Sequence, residues 1–232
     1  MKIIVLAAGQ GSRMMPLTKN LPKCMVSFLN KPLLEYTLDM LNNMDVTVVT
    51  GSHADAIPYN VNKIHNEKYL TTTMVDSLFL ALEEDENEDV IVSYSDIIFK
   101  PWVLQKLVDD PNKFSVVVDR NWLDLWRIRS SDPLSDAETL AVKSNVIEQI
   151  GGKPTDLSQI EGQYIGLFKL HKSVISSFKK VYIESNPIHM TQLMQNCINT
   201  GMKISSVWID GGWMEFDTTS DLQLIEYWKR FD

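Results

Sequence analysis

The chain has 232 residues, 44% of them hydrophobic and 22% charged, with a formal net charge of -8. That length suits one large α/β domain, with room for a second only if it is small, and the acidic balance argues against non-specific binding of nucleic acid through a basic surface. Cys24 and Cys197 stand alone and far apart, which excludes a disulfide framework or a Cys-x-x-Cys site.

Residues 3–8, Ile-Ile-Val-Leu-Ala-Ala, form a short unbroken apolar run, as in a strand covered on both faces of a parallel sheet. The run is too short for a signal-peptide core, and no apolar stretch reaches the length of a membrane span. The expectation is a soluble cytoplasmic protein without a membrane or nucleic-acid partner. Gly9 and Gly11 then let backbone N–H groups turn toward an anion, while Ser12 adds a hydroxyl and Arg13 a fixed positive fork. A Walker loop would end in Gly-Lys-Ser/Thr, and the dinucleotide fingerprint would need glycine where Met14 stands, so neither pattern fits.

The pattern Leu-Ala-Ala-Gly-x-Gly-x-Arg-Met followed by Pro-Lys, complete over residues 6–23, strongly resembles the signature of nucleotidyltransferases with a glycosyltransferase-A-like fold. The resemblance implies an α/β fold with a single-domain, mixed but mostly parallel sheet flanked by helices. It implies nucleotide contacts from Leu6, Ala7, Ala8, Gly9, Gly11, Ser12, Arg13 and Lys23, with Arg13 and Lys23 catalytic.

A strand at 25–28 and a turn at Asn30-Lys31 lead to Pro32, which opens a helix through about residue 43 with Leu33, Leu34, Leu38 and Leu41 on its apolar face. A second buried strand, 46–49, ends at Gly51, and right-handed crossovers put the glycine loop at the carboxyl edge of the sheet. Thr71, Thr72 and Thr73 are candidate N-caps for an amphipathic helix over about 74–84. In the resembling cytidylyltransferases this stretch lies against the nucleotide, which implies contacts from Thr73 and Ser77; capping alone is the other reading of the threonines. The acidic run 83–89 reads as a solvated connection.

A buried strand over 90–96 brings Ser95 and Asp96 to the ligand edge of the sheet. Asp after a strand is commonly a turn or cap residue, but the resemblance implies Asp96 as a ligand of Mg2+, with Ser95 beside the nucleotide. After a strand at 114–120, residues 122–129 combine aromatic faces with two guanidinium groups, and residues 132–139 supply acids and hydroxyls. Such a mixture suits a small zwitterionic or phosphorylated ligand, since Arg grips phosphate bidentately and Trp can face a cation. Tryptophans packed beneath a loop with arginines in solvent would give the same composition. Trp126, Arg127, Arg129 and Glu138 are the acceptor candidates here.

Residues 140–150 read as a hairpin turning at Ser144-Asn145, and Gly151 to Pro154 break regular structure. The strand at 162–170 carries an internal glycine, tolerated where a ligand or another backbone comes close. Its Gly-x-Tyr-Ile-Gly-Leu pattern resembles the family's acceptor strand and implies roles for Gln163, Tyr164 and Gly166, with Gln163 where relatives that handle aminated acceptors commonly carry an acid. Helices are expected at about 171–180, polar and peripheral, and at 190–200, closed by Gly201. A last strand, 203–209, precedes the turn Asp210-Gly211-Gly212 and a second carboxylate cluster containing Glu215 and Asp217. Asp217 is either the N-cap of the closing helix or, as the resemblance implies, the second Mg2+ ligand; Glu215 joins the acceptor set.

With no repeat or linker, residues 1–232 read as one domain containing an acceptor-binding subregion at about 119–169. The resemblance is nearest to bacterial phosphocholine, phosphonate and phosphoglutamine cytidylyltransferases. It implies transfer of CMP from CTP to a small phosphorylated or phosphonate acceptor with release of pyrophosphate, for surface-polysaccharide or lipid-headgroup synthesis. The alternatives are a sugar-1-phosphate nucleotidyltransferase using UTP, dTTP or GTP, and an inactive nucleotide-binding regulator.

Overall fold

Every side chain of the first strand, β1 (Lys2–Ala7), is buried, so the sheet must be flanked on both edges and covered on both faces. The computed structural model describes residues 1–41, 44–82 and 87–231. In chain order, a small hairpin of β2 (Ser27–Phe28) and β3 (Lys31–Pro32) is followed by α1 (Leu33–Met40), β4 (Asp45–Thr50), β5 (Asn62–His65) and α2 (Met74–Leu82). Then come β6 (Val90–Tyr94), β7 (Ile97–Phe99), α3 (Pro101–Asp109), β8 (Phe114–Asp119) and α4 (Trp122–Arg129). The chain continues through β9 (Leu140–Lys143), β10 (Val146–Ile150), β11 (Gln163–Leu170), α5 (Lys172–Ser185), α6 (Met190–Asn199), β12 (Ser205–Ile209), β13 (Trp213–Glu215) and α7 (Ile225–Lys229).

The main sheet has nine strands in the order β5-β4-β1-β6-β11-β8-β12-β10-β9. Only β10 and β11 run against the rest, so most strands share one direction. The period of two along β1 sends Ile3, Val5 and Ala7 into a core with Leu33, Val103, Leu125 and Trp228, and Ile4 and Leu6 into another with Leu78, Phe178 and Leu193. Helices α1, α3, α4 and α7 therefore cover one face and α2, α5 and α6 the other.

A second ribbon positions the site. β7 pairs antiparallel with β13, with Glu215 opposite Ile97, and the Phe216 N–H donates to the Asp96 carbonyl at 2.9 Å. Two segments more than a hundred residues apart are thereby held side by side. The ribbon is anchored by Asp119, fully buried at the end of β8, which accepts from Gly211 N at 2.8 Å and Trp213 Nε1 at 2.8 Å.

Several local expectations change. The first hairpin turns at Leu29 and Asn30, both left-handed (φ 49° and 63°), one residue earlier than the sequence suggests. α5 is not peripheral: Ile175, Phe178 and Val181 are buried at helical spacing beneath a polar outer face. β5, β7, α3 and the helical form of 122–129 were not read from the sequence; β5, Asn-Lys-Ile-His, carries almost no apolar signal. The expected helix end near residue 43, the end near 84 and most of the acidic run at 83–89 lie outside the described residues. Cys24 and Cys197 are buried free thiols that burial pushes up to about 12. Among the described residues no helix is long and apolar enough to cross a membrane.

Gly166 answers the question raised by a glycine inside a strand. It has φ 88° where the register of β11 against β8 slips, and a Cβ there would lie 2.6 Å from Tyr94 Cδ2. The close neighbour is the Tyr94 ring, not a ligand. Gly166→Ala should therefore cost about 1–3 kcal/mol through backbone strain and overpacking, read as a lower urea midpoint; an unchanged midpoint would contradict this account.

Candidate active site

Gly11 is left-handed (φ 63°) and heads the short turn Ser12–Met14. A Cβ on it would lie 2.9 Å from Lys23 Cβ and 3.0 Å from Thr18 Cγ2, so glycine is what lets the loop and Lys23 approach. Thr18, not identified from the sequence, is buried and donates to the Gly11 carbonyl at 2.8 Å.

Lys23 Nζ donates to Asp96 Oδ2 and to Asp217 Oδ1, each at 2.8 Å, and Arg13 Nη2 donates to the same Asp217 oxygen at 2.9 Å. Burial opposes the Lys23 charge, but the two carboxylates outweigh it and raise the ammonium's pKa. Burial would likewise lift Asp217; Lys23, Arg13 and Arg129 together hold its carboxyl below the usual range. Both groups are ionised at neutral pH.

Asp217 is not the cap of the closing helix. Thr218 caps the turn Thr219–Gln223 in a capping box with Asp221, and Asp221 Oδ2 accepts from the N–H groups of Asp217 and Thr218, each at 2.8 Å. The Asp217 carboxylate is thus left for the cations. Asp136, Glu215 and Asp217 offer oxygens within 4.8 Å of one another, a hard-donor set able to hold a divalent cation. Asp96, expected as a ligand beside Asp217, is not in this group; Lys23 sits between the two. Burial pushes Glu215 up to about 7; Arg129 opposes the rise, and the neighbouring Asp217 and Asp96 charges add to it.

Two cavities flank this cluster. One, of about 80 Å³, is lined by Leu6, Ala8, Gly9, Tyr69, Thr72, Thr73, Met74 and Ser77. Thr73 caps α2, its Oγ1 accepting from Asp76 N at 3.2 Å, and it also lines this pocket. Ser77 accepts from Asn66 Nδ2 at 3.0 Å; Asn66 is buried, also donates to Thr72 Oγ1 at 2.8 Å, and was not foreseen. Ala7 and Ser95 are buried outside the pocket lining, and Ser12 is exposed on the loop.

The larger cleft, about 280 Å³, is walled by Arg13, Tyr94, Trp126, Asp136, Glu138, Gln163, Tyr164, His189, Thr191, Glu215 and Asp217, among others. Met74 belongs to both walls. Gln163 spends its amide on the Glu138 backbone, donating to the carbonyl at 2.6 Å and accepting from the N–H at 3.2 Å, a pairing an acid could not complete. The Tyr94 and Tyr164 rings meet edge-on at 5.9 Å. Two arginines differ from expectation. Arg127 is exposed and outside the cleft lining, and Arg129 turns its guanidinium to Asp221, Glu215 and Asp217.

A glycine loop at the carboxyl edge of a largely parallel α/β sheet, facing a lysine held between two carboxylates, defines a nucleotidyltransferase. Residues 3–147 match the family model of the MobA-like NTP transferase domain, and the chain belongs to that family. It is 36% identical, over 97% of its length and 98% of the other chain, to the CTP:phosphoglutamine cytidylyltransferase of Campylobacter jejuni. Its fold is shared with the inositol-1-phosphate CTP transferase from T. maritima (TM-score 0.79, 23% identity, 99% of this chain and 95% of that one). It is shared also with the CTP:phosphocholine cytidylyltransferase from Streptococcus pneumoniae (TM-score 0.75, 20% identity, 100% and 99%).

Glu138 supplies a pH signature. Burial raises its pKa; the Thr191 hydroxyl, donating at 3.0 Å, and His189 pull it back, and Asp136 adds to the rise. Below about pH 4.3, the ordinary Glu value, both folded and unfolded states hold the proton. As pH climbs toward the raised native value the unfolded state loses its proton first, and stability declines. Glu138→Gln should remove that decline, so its urea midpoint should gain on wild type as pH rises above about 4.3 and level off once the native carboxyl has ionised; a difference that stays constant with pH would contradict the assignment.

Proposed function

We propose that this chain transfers CMP from CTP to a small phosphorylated or phosphonate acceptor of the phosphoglutamine, aminoalkylphosphonate or phosphocholine kind, releasing pyrophosphate, with Mg2+ as cofactor. The observation that carries the reading is Lys23 bridging Asp96 and Asp217 at the foot of the glycine loop. The end-to-end likeness to the Campylobacter jejuni enzyme supports CTP as the donor.

In this reading an ionised acceptor oxygen attacks the α-phosphorus and forms the new P–O bond. The bond from that phosphorus to the oxygen bridging to the β-phosphate breaks, and its electron pair leaves on pyrophosphate. No proton need move and no protein nucleophile is required, so the residues act by positioning and by meeting charge. Lys23 brings a secured positive charge to the α-phosphate and acceptor, and Arg13, on the exposed lip, meets the departing pyrophosphate. Asp96 and Asp217 would hold Mg2+, with Glu215 and Asp136 alongside; the ion supplies charge at the α-phosphate.

Leu6, Ala8, Gly9, Thr73 and Ser77 form the nucleoside side of the site, with Ala7, Gly11, Ser12 and Ser95 shaping the loop. The acceptor occupies the larger cleft against Trp126, Glu138, Gln163, Tyr164 and Glu215, most of them from the subregion 119–169. The acid-rich wall suits an acceptor that carries a positive nitrogen as well as its phosphate or phosphonate.

Pyrophosphate release with CTP, UTP, dTTP, GTP and ATP, each against phosphocholine, aminoethylphosphonate, phosphoglutamine and hexose 1-phosphates, tests the proposal. Turnover should require CTP and a nitrogen-bearing acceptor; turnover only with a hexose 1-phosphate would overturn it. Lys23→Ala should lower kcat by on the order of a hundredfold or more while the circular dichroism spectrum stays native. Near wild-type turnover in that variant would remove Lys23 from the mechanism.

A further inference from the structure

We propose that Arg129 is a positioning residue, not an acceptor ligand: its guanidinium fixes Glu215 and Asp217, so that α4 sets the geometry of the carboxylates that receive the divalent cation. The inference rests on the transferase reading of this site.

Arg129 ends α4, and its side chain is 9% exposed. Its three nitrogens reach three different acids. Nε donates to Asp221 Oδ1 at 3.0 Å, Nη1 to Glu215 Oε1, and Nη2 lies 3.6 Å from Asp217 Oδ2. The other oxygen of Asp221 accepts from the Asp217 N–H at 2.8 Å. One guanidinium therefore references both the backbone and the side chain of Asp217. Each of the three nitrogens thus faces an acid, and the lining of the larger cleft does not include Arg129.

The planar fork is what makes this possible, because it spreads the donors over three nitrogens in fixed directions, whereas a lysine presents them all from one atom. Removing the guanidinium would take from the buried Asp221 its ion-pair partner and from Glu215 the one cation paired with it among the described residues, the most disruptive way to break a buried ion cluster. Trp126, three residues back and so on the same helical face, stacks with the guanidinium at 5.4 Å and also lines the cleft. The helix thus touches the acceptor space through Trp126 and the cation-binding carboxylates through Arg129.

Arg129→Gln and Arg129→Lys, with Asp221→Asn as an independent cut of the same tie, test this. Two readouts are needed: steady-state kinetics with CTP and acceptor, and Mn2+ affinity measured by electron paramagnetic resonance with neither nucleotide nor acceptor present. Expected are a kcat lower by about 10–100-fold, an acceptor KM changed by less than about threefold, and Mn2+ affinity weakened by about tenfold or more. Arg129→Lys should recover only part of the loss, and Asp221→Asn should show the same cation defect. An acceptor KM raised tenfold or more with unchanged kcat and Mn2+ affinity would make Arg129 an acceptor ligand and overturn the proposal. If Arg129→Gln fails to fold, wild-type Mn2+ affinity in Asp221→Asn overturns it equally. Should no nucleotide and acceptor pair support turnover, the functional reading falls while the Mn2+ titration still decides the role of Arg129.

Discussion

Two carboxylates within 2.8 Å of one ammonium is an arrangement that must be built, because like charges resist being brought together and burial penalises each of them. The chain builds it with backbone. Asp96 leaves the end of β6 directly into β7, Asp217 follows β13, and the β7–β13 ladder with the Phe216 to Asp96 hydrogen bond fixes the two segments before any side chain contributes. Asp119 then holds the Gly211-to-Trp213 turn that starts β13. Burial raises the pKa of Asp119 while its N–H donors pull it down, which marks a buried polar group retained for the geometry it imposes. Lys23 completes the cluster from the other side, and its approach depends on the missing side chain at Gly11.

Legibility from sequence follows the range of the interactions. The glycine loop, Arg13 and Lys23 lie within one short stretch, so their spacing carries the family resemblance, and the buried strands announce themselves as apolar runs. Asp96 and Asp217 were singled out through that resemblance, and the fold brings both to Lys23. What could not be read was which side chain would meet which. Arg129 looks like a phosphate grip when only its neighbours in sequence are known; its actual partners are 86 and 92 residues away. Thr18 and Asn66 carry no compositional signal, since hydroxyl and amide residues are common in loops and only the fold shows that each is buried with a specific partner. The polar composition of α5 misled for the reverse reason: three buried positions at helical spacing suffice to dock a helix whose average is hydrophilic.

The same capacity for double use recurs at the site. Thr73 caps α2 and walls the small pocket; Gln163 ties β11 to the backbone of Glu138 and walls the large one. In both cases the structural bond fixes the rotamer of a side chain that also lines a cavity.

Exposure separates the three cations that meet Asp217. The Arg13 side chain is 65% exposed, so its pair with Asp217 lies in the range of surface ion pairs, about 0–1 kcal/mol after solvent screening. Its guanidinium can leave Asp217 at little cost. Lys23, at 13%, and Arg129, at 9%, are mostly withdrawn from water, and neither can leave its acids without another positive charge taking its place. Arg129 has no route out, because Asp221 and Glu215 hold it as well. Lys23 is held by two acids, Asp96 and Asp217, and packs against the glycine loop at Gly11. The three cations thus differ in how firmly burial ties them to Asp217: Arg13 loosely, Lys23 and Arg129 tightly, with Arg129 tied to Glu215 and Asp221 as well.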